Sequence, residues 1–360
     1  MGQLRAKNGR AQPWSVRHFE LGNEPAEAYR GSQSKDEVAR GYVALARGVA
    51  RAVRARASQL NRPVELKGAL ETTFALADWL KAVPMLARWN ATVLDKESGL
   101  VRDIDQVHGH FYSAFTYRDN DREQFEEVMA GGATLAAAVR ALARQYAPLP
   151  PFWLTEYSVI VEKKARFFGS NQILLERAKD YQAGLAAADL LMTSIREGFG
   201  GAYLFNLSEF GTWGVLANYT DFRLRPAGYA FSLISPMSGA QRLPARITGG
   251  RSVTVKGGDG NNPANGKFTT LEAVAARGDR GVEVVLLNRS YDAPEKVWVE
   301  ITGFSPGSAR MARLGPAEPR ASNDEKADSV APIASEGRVE GFHIVELPPR
   351  SLLRISYPAP

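Results

Sequence analysis

The sequence predicts an α/β fold, a partial (β/α)8 TIM barrel, followed by an all-β sandwich domain. Up to about residue 240, short apolar runs alternate with longer stretches of helical periodicity, a pattern typical of βα units around a parallel sheet. After Gly239 the hydrophobic period changes to two, and turns rich in Gly, Asn and Pro separate the runs. We therefore predict an incomplete barrel domain at residues 1–240 and a β-sandwich domain at residues 241–360.

Five strands are predicted in the first domain, each a short apolar run that ends at a turn. They are Val16–Leu21, Val64–Leu70, Ile104–Tyr112, Pro151–Tyr157 and Gly201–Asn206. Helices are predicted between and after these strands. They begin near Ser34, cover about 78–89, 122–146 (interrupted at Gly131 and Gly132) and 173–197, and begin again near Pro226.

The first long helix has a plausible capping box, formed by Ser34 and by Glu37 three residues later. Its predicted core face is an apolar stripe at helical spacing: Val38, Tyr42, Leu45, Val49, Val53 and Leu60. Its other face carries Arg40, Arg47, Arg51 and Arg54. We interpret these arginines as the solvated outer face of a barrel helix rather than as a phosphate site.

Short alternating runs predict the strands of the second domain. Examples are Val282–Leu287, Val297–Ile301, Phe342–Leu347 and Leu352–Tyr357. The segment Gly257–Asn262 has the composition of a calcium loop but lacks its carboxylate spacing, so a long hairpin turn is predicted there.

The number of strands is lower than a closed barrel requires. A barrel of this type has eight strands, whereas five are predicted here, and residues 1–14 have no room for three more. Such a sheet would leave unpaired edges and exposed apolar surface. We therefore expect either a fragment of a longer product, or completion of the barrel by a partner or by a second copy in a homo-oligomer.

Composition excludes several classes of protein. The chain has no cysteine, which excludes disulfides and cysteine-ligated metals, and we expect no cofactor and no metal. It has no apolar run of 18 residues, so no membrane contact is expected, and its first residues lack a signal-peptide core. The compartment stays open. The net charge of +6 permits a nucleic-acid partner, but no motif supports one and none is expected.

A glutamate lies at or just past the end of two predicted strands. Glu24 lies in the run Gly22-Asn23-Glu24-Pro25 just past the opening strand, and Glu156 lies near the end of the fourth. In an α/β barrel the carboxyl ends of the strands form the active face. Retaining glycoside hydrolysis requires one carboxylic acid and one carboxylate, about 5–5.5 Å apart, so the pair is typical of that chemistry.

Other side chains near these strand ends are candidates for binding. His110 and Tyr112 share one side of the third strand, from which they could contact the nucleophile. Asn23 could bind a sugar hydroxyl, Tyr157 is taken as a further substrate contact, and Trp213 is a candidate sugar-stacking platform. For His110, Tyr112 and Trp213 taken singly, simple packing is an open alternative.

The motif Phe19–Pro25 resembles the fourth-strand acid/base motif of the clan A retaining glycoside hydrolases, whose catalytic glutamates lie on strands four and seven. Leu154-Thr155-Glu156-Tyr157 looks like their seventh-strand nucleophile motif, and His110-Phe111-Tyr112 like their sixth-strand motif. The segment Leu4–Gly9 is most similar to the α-L-arabinofuranosidases of glycoside hydrolase family 51, which also carry a C-terminal β-sandwich. The resemblance implies that the chain contains barrel strands four to eight.

The resemblance implies a retaining, arabinofuranosidase-like hydrolase that acts on side chains of plant-type polysaccharides or oligosaccharides. Glu24 would be the acid/base and Glu156 the nucleophile. Two alternatives stay open: a β-glucuronidase-like or xylosidase-like clan A hydrolase, and a non-catalytic carbohydrate-binding or scaffold protein.

Overall fold

The computed structural model describes most of the chain. The described residues are 2–10, 16–25, 35–70, 84–97, 99–115, 120–161, 178–209, 213–217, 221–255, 267–304, 306–339 and 342–359. Ser34 of the predicted capping box and the predicted turn Gly257–Asn262 lie outside these ranges.

The described part of the chain is of the α/β class. Its helices are α1 (Gly2–Lys7), α2 (Lys35–Gln59), α3 (Pro84–Val93), α4 (Asp121–Met129), α5 (Gly131–Gln145), α6 (Tyr181–Glu197) and α7 (Pro226–Ile234). Its first strands are β1 (His18–Leu21), β2 (Glu65–Ala69), β3 (Gln106–Phe115), β4 (Phe152–Val161), β5 (Gly201–Leu204), β6 (Ser208–Glu209), β7 (Leu216–Ala217) and β8 (Arg223–Leu224). None of these helices combines the length and the apolar character that crossing a bilayer would require.

Strands β1 to β5 form one sheet in the order β1-β2-β3-β4-β5, which confirms the five predicted strands. Strand β2 pairs in parallel with both β1 and β3. Strand β1 is at one edge of the sheet. Completion of the barrel at this edge, by a partner or by a second copy, stays a prediction.

The chain divides into two compact units. The first unit is Met1–Glu71, Val83–Gly109 and Pro148–Trp153, and the second is Thr72–Ala82, His110–Ala147 and Leu154–Pro360. Strands β3 and β4 each begin in the first unit and end in the second. The predicted domain boundary after residue 240 stays a prediction.

In the first unit, the predicted core face of α2 is wrong in part. Val38 and Tyr42 are buried, but Leu45, Val49 and Leu60 are exposed. The buried face is instead built largely of alanines, namely Ala39, Ala46, Ala50 and Ala57. Alanine allows close packing of a helix and is the best helix former, so the face that packs is the one with small side chains rather than the most apolar one.

Three of the four α2 arginines are paired rather than simply solvated. Arg47 and Arg51 contact the carboxylate of Asp103 at 2.7 and 3.4 Å, and Arg54 contacts Asp105 at 2.9 Å. Asp105 also accepts a hydrogen bond from the backbone N–H of Leu66 at 2.8 Å. The arginines therefore join α2 to the segment before β3 and to β2, which leaves less of this face for a phosphate.

In the second unit, α4 and α5 are separate helices that meet at the predicted interruption. A Cβ atom on Gly132 would lie 2.2 Å from Oδ2 of Asp189 and 2.6 Å from the hydroxyl of Thr193. Only glycine permits this close approach of α5 to α6. Helix α6 is capped by the side chain of Asp180 and ends at Gly198, whose φ is +74°.

The C-terminal third of the chain, which lies in the second unit, consists of antiparallel sheets, as the period-two pattern predicts. Its strands are β9 (Gln241–Leu243), β10 (Ser252–Thr254), β11 (Lys267–Thr269), β12 (Leu271–Gly278), β13 (Gly281–Asn288), β14 (Glu295–Glu300), β15 (Ser308–Leu314), β16 (Ile333–Arg338), β17 (Phe342–Leu347) and β18 (Ser351–Pro358). The main sheet has the order β16-β15-β18-β13-β12-β9, and β14 pairs with β17. A shared apolar core contains Leu286 and Ile355 of the main sheet together with Val345 and Leu347 of β17.

A buried ion pair ties α6 to these sheets. The guanidinium of Arg289 lies 2.8 Å from Asp189 and 3.3 Å from Glu272, and the side chains of all three residues are at most 6% exposed. Arg196 also pairs with Glu272. Burial raises the pKa of Asp189, and the positive charge of Arg289 opposes that rise.

We predict that Arg289→Met lowers the free energy of unfolding by about 3–5 kcal/mol, because it leaves two buried carboxylates without their shared cation. The measurement is urea denaturation followed by circular dichroism. The matched control is Arg310→Met, since Arg310 is 75% exposed and pairs with the exposed Glu336. That control should lose no more than about 1 kcal/mol, and an equal, small loss in both variants would contradict the role of Arg289.

Candidate functional site

In the first unit, Glu24 lies on a sharp turn just past the end of β1, as predicted. Asn23 is exposed and Glu24 is partly exposed. Gly22 has a φ of +100° and Glu24 a φ of 42°, so Glu24 does not have the extended backbone that a residue before proline usually adopts. Two residues with positive φ bend the chain more sharply than extended residues would.

The side chain of Tyr42 lies beneath this turn and also holds the end of β2. Its hydroxyl accepts a hydrogen bond from the N–H of Ala69 at 2.8 Å, and the indole of Trp89 donates to the carbonyl of Ala69 at 3.1 Å. Burial raises the pKa of Tyr42, against the lowering effect of the Ala69 hydrogen bond. A Cβ atom on Gly22 would lie 3.4 Å from the Tyr42 ring. The Glu24 turn therefore rests on a rigid aromatic support.

Charged side chains on β1 to β3 form a polar cluster that the sequence analysis missed. Glu20 lies 3.6 Å from Nδ1 of His108, and the ammonium of Lys67 is 4.1 Å from the centre of the Trp153 ring. Burial lowers the pKa of Lys67, and the nearby carboxylates of Glu65 and Glu20 oppose this. Alternation of charged residues along β1 and β2 is the signal that could have indicated the cluster.

In the second unit, Glu156 on β4 is held by two residues of β3. The hydroxyl of Tyr112 donates a hydrogen bond to Oε2 of Glu156 at 2.6 Å. Nδ1 of His110 lies 3.5 Å from the same oxygen. The His110 side chain is 8% exposed, whereas that of Glu156 is 23% exposed and so stays accessible to a ligand. Residues two apart on a strand thus converge on one carboxylate oxygen, as their predicted common side implies.

An aromatic wall adjoins Tyr112. The Tyr112, Phe205 and Trp213 rings are 5.8–6.2 Å apart, centre to centre, at tilted or edge-on angles. The indole of Trp213 donates a hydrogen bond to the carbonyl of Val159 at 2.7 Å, which fixes the ring relative to β4. The structure therefore brings Trp213 together with His110, Tyr112 and Glu156. Phe205, just past the end of β5, was missed although its position at a strand end could have indicated it.

A buried guanidinium fixes the Trp213 loop. Arg225 is 1% exposed, contacts both carboxylate oxygens of Asp324 at 2.9 and 3.1 Å, and donates hydrogen bonds to the carbonyls of Trp213 and Gly214. Lys179 lies 3.7 Å from Asp324. The wall beside Glu156 thus depends on a carboxylate from the C-terminal sheet region, which no sequence pattern indicated.

The predicted substrate contact of Tyr157 is not supported. Its side chain is 1% exposed and burial raises its pKa. On a strand, neighbouring side chains point to opposite faces, so Tyr157 packs in the core while Glu156 stays accessible. A ring without accessible surface cannot contact a sugar.

We predict that Gly22→Ala lowers the free energy of unfolding by about 1–2 kcal/mol, since a Cβ atom is strained at positive φ. Thermal or urea unfolding measures this. Gly41→Ala is the matched control: Gly41 lies on α2 and an added Cβ atom has no neighbour within 4 Å. There the same change should raise stability by about 0.5–1 kcal/mol. The same sign of change in both variants would contradict the strain assigned to Gly22.

No protein-family model matches this chain, and no curated protein matches it. Solved structures do match. A family 51 arabinofuranosidase from Xanthomonas axonopodis pv. citri aligns over 98% of this chain and 68% of its own, with 18% identity and a TM-score of 0.70. A family 51 α-L-arabinofuranosidase from Bifidobacterium longum aligns over 99% and 69%, with 16% identity and a TM-score of 0.70.

A family 30 endoxylanase from Clostridium papyrosolvens aligns over 99% of this chain and 68% of its own, with 13% identity and a TM-score of 0.53. At these identities the likeness concerns the fold. The resemblance to clan A glycoside hydrolases, most of all to the family 51 arabinofuranosidases, is therefore confirmed as a likeness of fold over nearly the whole chain.

Proposed function

We propose that this chain is a retaining glycoside hydrolase of the α-L-arabinofuranosidase type, acting on arabinose-bearing side chains of plant-type polysaccharides or oligosaccharides. The observation that carries the proposal is Glu156, an accessible carboxylate within β4, with Oε2 held by Tyr112 and His110. The fold of glycosidases in which it occurs supports the proposal. The C-terminal sheets are the proposed β-sandwich domain.

In the proposed first step, Oε1 of Glu156 attacks the anomeric carbon of the bound sugar. Oε2 is already held by Tyr112 and His110, so Oε1 is the oxygen that we assign to bond formation. The hydrogen bond from Tyr112 fixes the direction of the carboxylate. As the bond to the leaving oxygen breaks, Glu24 donates its proton to that oxygen. The product is a glycosyl ester on Glu156.

In the proposed second step, Glu24 acts in reverse. Its carboxylate takes a proton from water, the water oxygen attacks the anomeric carbon, and the ester bond to Glu156 breaks. Two displacements at one carbon retain its configuration. Glu24 ends protonated and Glu156 ionised, so both groups are ready for another cycle.

The remaining candidates are assigned to sugar binding. Trp213 is partly exposed beside Tyr112, so its ring offers an apolar face to a sugar next to Glu156. Asn23 is an exposed amide adjacent to Glu24 and would bind a hydroxyl of the sugar being transferred. A β-xylosidase-like or β-glucuronidase-like specificity is the nearest alternative, because the fold is shared with xylanases.

We predict that Glu156→Ala lowers the turnover of every glycoside by about 10⁴-fold or more, because no nucleophile remains. Glu24→Ala should lower the turnover of glycosides with poor leaving groups, such as alkyl glycosides, by about 10²–10⁴-fold. It should largely spare the glycosylation step of dinitrophenyl glycosides, whose leaving group needs no proton. Pre-steady-state release of dinitrophenol and steady-state turnover of arabinofuranosides measure these effects.

The matched control is Glu318→Ala, an exposed carboxylate between β15 and β16, which should retain activity. An equal loss by Glu24→Ala with both leaving groups would contradict the role of Glu24. Binding of arabinosides without any hydrolysis by the unmodified chain would favour the non-catalytic alternative instead.

A further inference from the structure

The outer face of the β14–β17 pair carries an exposed apolar group. Along both strands the side chains alternate: Val299 and Val345 are buried in the shared core, whereas Trp298, Phe342 and Ile344 are exposed by 67, 53 and 44%. In a strand that covers a core, the outward positions are ordinarily polar. Packing within the chain therefore does not explain why three large apolar side chains lie on this exposed face.

The register places these three side chains next to one another. Trp298 lies opposite Ile344, and Glu300 lies opposite Phe342, so Trp298 and Phe342 are diagonal neighbours on one face. Their rings are stacked, with centroids 5.3 Å apart and planes 8° apart. The stacking stabilises both side chains in one orientation and leaves an aromatic surface open to solvent.

Charged side chains border this aromatic surface. Lys296 and Glu346 lie opposite each other on one side of it, and Glu300 lies on the other. All three are exposed. The face is therefore a small apolar platform between hydrogen-bonding groups, and the ligand it fits has an apolar face and a polar edge.

The small area of this exposed surface favours a sugar over a protein as its ligand. An aromatic side chain has about 150–250 Å² of surface, so the exposed parts of Trp298 and Phe342 together amount to roughly 200–300 Å², to which Ile344 adds a smaller area. A stable protein interface buries about 800 Å² on each partner and has few charged residues at its centre. A sugar ring, with C–H bonds on one face and hydroxyls around its edge, matches the platform in size and in polarity.

We propose that Trp298, Phe342 and Ile344 form a carbohydrate-binding surface on the C-terminal sheets, in addition to the Glu156 site. Its ligand is the backbone of a neutral polysaccharide, whose sugar ring stacks on Trp298 while its hydroxyls bond to Lys296, Glu300 or Glu346. The choice of a polysaccharide rests on the proposed function, because a hydrolase of side chains gains from holding the polymer that carries them.

The test is affinity electrophoresis in native gels that contain soluble arabinoxylan. All proteins carry Glu156→Ala, so that the polymer is not degraded during the run. We expect the polymer to retard the parent protein. Trp298→Ala should raise the dissociation constant for arabinoxylan by about tenfold or more, which corresponds to about 1.4 kcal/mol. Phe342→Ala should weaken retardation less than Trp298→Ala does. It removes the ring that stacks on Trp298 but keeps the more exposed Trp298 ring itself. Trp298→Phe should retain part of the retardation.

The matched control is Phe231→Ala, which removes an exposed aromatic side chain of α7 and should migrate as the parent does. Equal retardation of the parent and Trp298→Ala would overturn the proposal, as would a parent that is not retarded at all. Self-association that Trp298→Ala abolishes, without any retardation by polymer, would overturn it in favour of a second copy.

Hydrolysis of aryl arabinofuranosides by the chain with Glu156 intact is scored separately. Retardation that depends on Trp298 in a chain that hydrolyses nothing would refute the proposed function and keep the binding surface. Hydrolysis without Trp298-dependent retardation would support the proposed function and refute the binding surface.

Discussion

The wall beside Glu156 depends on one buried cation, the guanidinium of Arg225. A charge at 1% exposure is costly unless it is fully bonded, and Arg225 meets this requirement with both oxygens of Asp324 and with the carbonyls of Trp213 and Gly214. These bonds reach two separate segments, so the Arg225 side chain joins the start of α7 to the loop between β6 and β7 and to the segment between β15 and β16. The C-terminal sheet region is therefore part of the support of the site and not a separate appendage.

The chemistry assigned to Glu156 follows from an asymmetry between its two oxygens. Oε2 is bound by a hydroxyl and lies beside an imidazole, both from β3. Adjacent strands set the distance between Tyr112 and Glu156, so the carboxylate is oriented by the sheet itself rather than by a loop. This arrangement leaves the accessible carboxylate to act through its other oxygen, which is what a nucleophile in a retaining hydrolase requires.

Local patterns predicted the strands well, because the period of the hydrophobic residues and the turn residues between runs are local properties of the sequence. The runs that end at Leu21, Tyr157 and Leu347 all lie on observed strands. The core face of α2 was predicted incorrectly in part, since the helix packs through Ala46 and Ala50 and exposes Leu45. The hydrophobicity of its residues does not show how closely a neighbouring element approaches α2. That approach decides which face of the helix is buried.

Contacts between distant segments could not be predicted from the sequence. Asp324 follows Arg225 by almost a hundred residues, and neither residue belongs to a motif or to a periodic face. The predicted substrate contact of Tyr157 is not supported, because strand alternation directs this side chain to the face opposite Glu156, where it is buried. Glu156 and Tyr112 were predicted because each lies near the end of an apolar run. The structure extends β3 to Phe115 and β4 to Val161, so both residues lie within their strands rather than at the ends.

The most direct measurement of the central claim is to trap the covalent intermediate. A dinitrophenyl arabinofuranoside with fluorine at C2 reacts slowly, because fluorine destabilises the positively charged transition state, while its good leaving group still permits the first step. After incubation and proteolysis, mass spectrometry locates the sugar. The account predicts one 2-fluoroarabinosyl ester, on Glu156. A label on another carboxylate, or turnover of the parent arabinofuranoside without any label, would contradict it.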